Sequence, residues 1–383
     1  MTSPQTANGP IRVAMVGLRF GAEFVPIHLN HPDVASVAIC DSDPDVLRQM
    51  GEKFGIDRRF ERLEDVCAAG DIDAVHLVTP IPVHAAQTIA VLESGKHCAC
   101  TVPMATSIED LRAILAAKRT SGKKYMMMET AVYTRQFLYV KDLLARGEFG
   151  RVQLLRGAHY QDMEGWPPYW RGLPPMHYAT HAVSPCLAVA GTRSESVHCF
   201  GSGVMGEELQ TVYGNPYPIE TAIFRLHDSP IAMEITRALF RSARQYTESF
   251  NVYGEWLCFE WQQIEKEESP VLFRVGEFEA GRGRPSAAER IDVPDRGDLL
   301  PAEIARFTRR GVYDQQHAHL SFLFGGGHGG SHPHLVNEFV RSIVENREPF
   351  PGAIAGADWT AAGICAHASA MAGGRRVAVP AFD

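Results

Sequence analysis

No apolar run in this chain reaches the roughly 18 residues that a membrane-spanning helix needs. Met1 to Pro10 lacks the basic-then-apolar order of a secretory signal. The expectation is a cytoplasmic chain that makes no membrane contact. Basic residues are in deficit: 37 Lys and Arg against 45 Asp and Glu leave a net charge of −8, which excludes the dense basic surface of a nucleic-acid binder. The 8 cysteines show no paired zinc-type spacing, and most lie inside apolar stretches (Cys40, Cys98, Cys100, Cys186, Cys365), so they read as reduced, buried thiols. No internal repeat is evident.

What is present is enough apolar material for two cores. With 383 residues and 45% hydrophobic content, the expected organisation is a first domain over residues 1–148 and a second over 149–383. The first alternates short β-branched or apolar runs (Val13 to Val16, Val34 to Cys40, Ala74 to Val78, His97 to Cys100, Tyr125 to Met128) with amphipathic stretches. That is the pattern of a Rossmann-type α/β domain, a parallel sheet covered by helices. Among the helices, Ala85 to Glu93 and Ile108 to Lys118 stand out, the latter opened by Ser107 with Asp110 three residues on. After Gly150 longer alternating runs take over (Val152 to Tyr160, Ser196 to Gly201, Glu220 to Leu226, Ile231 to Thr236, Ser249 to Tyr253, Leu257 to Trp261), as expected of an α+β domain with a large, open, mostly antiparallel sheet. Glu279 to Asp298 reads as an exposed excursion and Gly325 to Gly330 as a glycine-rich loop; two helices within about 335–372 are expected to pack back on the first domain.

The first strand runs into Gly17-Leu18-Arg19-Phe20-Gly21-Ala22 and then a helix, where a dinucleotide's pyrophosphate meets backbone N–H groups at a helix start. Arg19 stands at the usual second glycine, so the backbone gives the diphosphate more room or the guanidinium contacts it; an ordinary tight turn is the alternative. The second strand ends at Asp41, about 24 residues after Gly17, where a carboxylate can accept from both ribose hydroxyls, which favours NAD over NADP.

Val78-Thr79-Pro80-Ile81-Pro82-Val83-His84, Gly95-Lys96-His97 and Thr101-Val102-Pro103-Met104-Ala105 resemble, in order and spacing, the Gfo/Idh/MocA oxidoreductase family. The resemblance implies that Thr79, Pro80, His84, Thr101, Pro103 and Glu129 line the cofactor together with Gly17, Arg19, Phe20 and Asp41, and that the second domain carries a sugar. The typical member has Glu-Lys-Pro where this chain has Thr101-Val102-Pro103, and that lysine helps remove a hydroxyl proton during hydride transfer. Val102 has no titratable group, so the ordinary sugar-dehydrogenase mechanism does not carry over.

A narrower set, Met126-Met127-Met128-Glu129, Tyr133, Tyr178-Ala179-Thr180-His181, Gly327-His328-Gly329-Gly330 and Val379-Pro380-Ala381-Phe382, resembles the family's NAD-dependent glycoside hydrolases, typified by N-acetylgalactosaminidases. There too the motif lacks lysine. Thr101, in place of the branch's glutamate, and Gln161, where it often has histidine, depart from the pattern and bear on the sugar. The resemblance implies oxidation at C3, elimination of the aglycone, water addition and re-reduction. The alternatives are an NAD-dependent sugar or cyclitol dehydrogenase and a non-catalytic NAD- and sugar-binding protein.

Tyr178 and His181, three residues apart, face one side of a helical turn and can reach one substrate. His181 is assigned to the C3 hydroxyl and Tyr178 to the C2 proton. Tyr133 is a third catalytic candidate, with a packing role as its alternative. Substrate contacts are expected from Trp166, Trp170, Arg171 and His177, and from His328 at the pocket mouth. An inward Arg171, with Arg237, Arg241 or Arg244, would point to an acidic glycoside such as a sulfoquinovoside. His177 and His181, and His328, His332 and His334, raise a metal site, but no Glu or Cys accompanies them at a telling spacing, and none is expected. His332 and His334 read instead as helix-start residues. The family's open sheet implies a homodimer or homotetramer.

Overall fold

The computed structural model describes residues 9–264, 268–309 and 327–382. Met1 to Asn8, and Gly325 and Gly326 of the glycine-rich loop, lie outside the described residues. The chain divides into two compact units, Met1–Thr134 with Asp295–Ala357, and Arg135–Pro294 with Asp358–Asp383. This differs from the boundary expected near residue 148. The helix Arg135–Ala145 goes with the second unit, while Asp295–Ala357 returns to the first.

In the first unit, β1 (Ile11–Val16), β2 (Val34–Cys40), β3 (Arg59–Phe60), β4 (Ala74–Leu77), β5 (His97–Cys100) and β6 (Tyr125–Met127) form a parallel sheet in the order β3-β2-β1-β4-β5-β6. β4 and β6 are buried throughout, so they read as continuous apolar runs rather than alternating ones, as a sheet covered on both faces requires. The intervening helices are set by local chemistry. Asp43 accepts from the N–H groups of Asp45 and Val46 to start Pro44–Phe54, and Ser107 accepts from Asp110 N–H to start Ile108–Ser121. The helix His332–Val344 buries Leu335, Val336, Phe339, Val340 and Ile343 in the core formed with Val13, Phe24 and Ile27. His332 and His334 do lie at its start, and both are buried. Of the second helix expected to return, Ala353–Met371, only the start groups with the first unit; from Asp358 onward it counts with the second.

The second unit holds β7 (Val152–Tyr160), β8 (Ser194–Ser202), β9 (Ile219–Leu226), β10 (Ala232–Ala238), β11 (Thr247–Gly254), β12 (Leu257–Glu260), β13 (Val271–Val275), β14 (Ser286–Arg290) and β15 (Val377–Ala378). Their order is β14-β13-β12-β11-β7-β10-β9-β8-β15, antiparallel except for the β7–β10 pair. The expected excursion Glu279 to Asp298 contains β14, an exposed edge strand paired with β13: backbone pairing holds it there, with no apolar pattern to announce it. On β7, Gly157 has no side chain because a Cβ would collide with the Ala182 carbonyl oxygen. The helix Thr180–Ala190, which carries His181, therefore lies close against this strand.

Both units bury neutral histidines. Burial pulls His28 in the first and His177 in the second down to about 3, with His31 and His367 adding repulsion. Because the unfolded imidazole titrates near 6.5, acid loads protons onto the unfolded chain first, and stability is lost as pH falls from 6.5 toward 3. Each residue is expected to cost about 2 kcal/mol by pH 5. Thermal unfolding followed from pH 7.5 to 5 should show a steep loss that is shallower in His28→Asn and His177→Asn.

Candidate active site

At the carboxyl end of β1, Gly17 adopts φ 87°, and a Cβ there would collide with the Val78 carbonyl oxygen. Only glycine lets the turn close against the end of β4. Asp41 Oδ2 accepts from Leu18 N–H at 2.7 Å and Oδ1 from Asp43 N–H at 2.9 Å, so the carboxylate first orders the glycine turn. Each oxygen keeps a further lone pair for a ribose hydroxyl. Arg19 extends into solvent and pairs with Asp43 at 3.0 Å, and Phe20 is half-exposed beside the turn. The turn passes through a single 3-10 turn, Gly21–Glu23, before the helix Val25–Asn30. These features, with backbone close to the turn and a carboxylate at the end of β2, fit the diphosphate and adenosine ribose of a dinucleotide.

The loops after β4 and β5 complete this edge. Thr79 Oγ1 donates to Gln87 Oε1 at 2.6 Å, and His84 is held by the carbonyl oxygens of Thr79 and Pro103, each at 2.8 Å. Thr101 N–H donates to the Leu77 carbonyl at 3.0 Å, Pro80 precedes the short turn Ile81–Val83, and Val102 is buried. Glu129, fully buried, accepts from Ala131 N–H at 2.9 Å and caps the turn Thr130–Tyr133.

The second unit gathers an acid–base cluster. His181 Nε2 lies 3.3 Å from the Tyr178 hydroxyl and 3.7 Å from Glu248 Oε1. Glu248 Oε1 also accepts from the Tyr246 hydroxyl and lies 3.8 Å from His159 Nε2. Burial and the adjacent Glu248 carboxylate hold the Tyr246 phenol well above its usual range. Arg237, fully buried, donates to the carbonyl oxygens of Tyr178 (2.8 Å), His159 (3.2 Å) and Ala238 and to Gln161 Oε1 (3.2 Å). Burial lowers this guanidinium to about 10. Arg237 thus fixes the backbone on which Tyr178 stands, and Gln161 serves that anchor.

His159, Glu248 and Tyr246 were missed by the sequence reading. In the sheet Glu220, Arg237, His159 and Glu248 stand side by side across β9, β10, β7 and β11, one polar row through an apolar face. An ionisable residue at an inward position of each alternating strand was the signal available.

The other expected residues hold contacts of their own. The Tyr133 hydroxyl donates to the Phe350 carbonyl at 2.7 Å, its ring stacks on His334, and burial raises it well above the usual phenol range, contacts that fit its alternative packing role. His177 is buried edge-on against His367, whose Nδ1 lies 2.8 Å from Glu220. Arg171 donates to the Glu208 carbonyl, Arg241 pairs with Glu164 and Glu208, and Arg244 donates to the Gln263 carbonyl. Trp170 is buried edge-on to Tyr178, whereas Trp166 is exposed. His328 lies in the first unit, Nδ1 3.0 Å from His332 Nε2 and edge-on to Phe20. Among the described residues no group of three or more His, Cys, Asp and Glu is placed to hold a metal.

The first unit therefore belongs to the class of nicotinamide-dinucleotide-binding Rossmann domains. Residues 11–129 match the Gfo/Idh/MocA model, an oxidoreductase family with an NAD-binding Rossmann fold, and form a domain of that family. A glycosyl hydrolase family 109 protein of Bacteroides thetaiotaomicron is 28% identical over 198 residues, 47% of this chain and 42% of that protein. A 1-carboxy-3-chloro-3,4-dihydroxycyclohexa-1,5-diene dehydrogenase of Comamonas testosteroni is 30% identical over 155 residues, 40% of this chain and 38% of that one. These matches span less than half the length of either relative. Across the whole chain the fold is that of a levoglucosan dehydrogenase solved with NADH and L-sorbose: TM-score 0.77, 18% identity, covering 98% of this chain and 100% of that one. No described helix is long and apolar enough to cross a membrane.

Proposed function

We propose that this protein is an NAD-dependent glycoside hydrolase with no net redox change. The observation that carries the reading is the pair of titratable tips, His181 Nε2 and Tyr178 Oη, 3.3 Å apart, with Glu248 Oε1 3.7 Å from the same imidazole nitrogen. When bound, the dinucleotide supplies a hydride acceptor and donor. His181 takes the proton of the sugar's C3 hydroxyl, and the Glu248 carboxylate favours the imidazolium that results. Tyr178, as its phenolate, takes the C2 proton that a C3 ketone acidifies, and the electron pair left at C2 expels the aglycone from C1. Two proton transfers, one at the C3 hydroxyl and one at C2, need two groups at about this spacing.

Arg171, Arg237, Arg241 and Arg244 all hold partners of their own, which favours a neutral glycoside over a sulfoquinovoside. The fold shared with levoglucosan dehydrogenase supports a second reading, an NAD-dependent sugar dehydrogenase. One assay separates them. Purified protein with neutral and acidic aryl glycosides in deuterated buffer is expected to release the phenol and incorporate deuterium at C2 without accumulating NADH. Stoichiometric NADH without aglycone release would establish the dehydrogenase instead.

A further inference from the structure

Asp41 ends β2 on one side of β1, while Thr79–Pro80 and Val102–Pro103 follow β4 and β5 on the other. A dinucleotide whose adenosine ribose meets Asp41 and whose diphosphate crosses Gly17 sends its nicotinamide half toward β4 and β5. His84 joins the two loops on that side. Its Nδ1 lies 2.8 Å from the Pro103 carbonyl oxygen and its Nε2 2.8 Å from the Thr79 carbonyl oxygen. A carbonyl oxygen has no proton to give, so each contact requires an N–H on the ring, and a ring with both is an imidazolium. The side chain is 1% exposed, so water is not available to replace either bond. Burial alone opposes the charge, but the Cys100 sulfur facing the ring from β5 and the two carbonyls outweigh it, and the imidazole is pushed up to about 9.

We propose that His84 is a resident imidazolium that clips the two nicotinamide-side loops together and, as a buried positive charge there, favours binding of the reduced cofactor over the oxidised one. The sign follows from the ring chemistry: the oxidised nicotinamide is a cation and the reduced ring is neutral, so only the oxidised form is repelled. His84 is thus a positioning residue with an electrostatic effect. The inference does not depend on which sugar chemistry the protein performs.

The test needs no substrate. In the full chain labelled with 15N-histidine at pH 7, one histidine is expected to show both ring nitrogens protonated, and that signature should vanish in His84→Gln. Calorimetric titration with NAD+ and NADH should then show the ratio Kd(NAD+)/Kd(NADH) falling on the order of tenfold in His84→Gln. Loss of a purely structural clip would weaken both forms alike and leave the ratio unchanged. Should His84→Gln fail to fold, the wild type still decides: by linkage, the NADH complex must hold the His84 proton to higher pH than the NAD+ complex. Cys100 is the titratable side chain facing that ring, and Cys100→Ser separates its contribution. A neutral His84 at pH 7, an unchanged Kd ratio or identical midpoints in the two complexes would overturn the proposal.

Discussion

Replacing His181 with alanine is expected to reduce turnover of the glycoside by on the order of 10²–10⁴-fold while leaving NADH affinity unchanged. The magnitude follows from removing a positioned acid–base group, and the sparing of the cofactor from the Gly17 turn and Asp41, which the substitution leaves in place. His181 is on the helix Thr180–Ala190 of the second unit, whereas the turn at Gly17 and the Asp41 carboxylate belong to the first. Tyr178→Phe should fall in the same range, because it removes a hydroxyl and keeps the ring that packs against Trp170. Glu248→Gln keeps the shape of the cluster and loses its charge, so it should cost less in rate and move the acidic limb of the kcat/KM profile. Turnover by phenol release and NADH binding by fluorescence check these together. Wild-type turnover in both His181→Ala and Tyr178→Phe would place the chemistry elsewhere.

Gly17→Ala is expected to weaken dinucleotide binding on the order of a hundredfold. At φ 87° an L side chain is strained by about 1–3 kcal/mol. The added Cβ also meets the Val78 carbonyl oxygen, which is backbone and has little room to yield. The turn must open, and the Leu18 N–H bond to Asp41 is disturbed with it. Since 1.4 kcal/mol is a factor of ten, the strain and the collision together account for the expected loss. Arg19→Ala should cost only a few-fold, because its guanidinium is largely exposed and already paired with Asp43. Calorimetry with NADH on folded variants, verified by their unfolding transitions, measures both. Equal affinity in Gly17→Ala and wild type would mean that the dinucleotide does not cross this turn.

The Rossmann half was readable residue by residue because its signals are local. β-branched or apolar runs became β1, β2, β4 and β5 with ends within two residues of expectation, and Ser107 and Gly122 cap the helix that follows β5. Gly17 and Asp41 were singled out from spacing, since a glycine turn and a strand-end carboxylate depend on neighbours in the chain. The surroundings of Tyr133 and His177 were not readable for the opposite reason. Their surroundings come from Phe350 and His334, and from His367, residues far away in sequence.

The sequence by itself therefore determined the parallel and antiparallel halves, the glycine turn with its carboxylate, the lack of a lysine at Val102 and the Tyr178–His181 spacing. The tertiary structure alone decided which groups stand behind that pair. Glu220, Arg237, His159 and Glu248 come from four strands, and they meet because β7 pairs in parallel with β10 and antiparallel with β11 in one particular register. A shift of one residue would turn each of these side chains to the opposite face. Register is set by the packing of the whole sheet, so no single strand's sequence contains it.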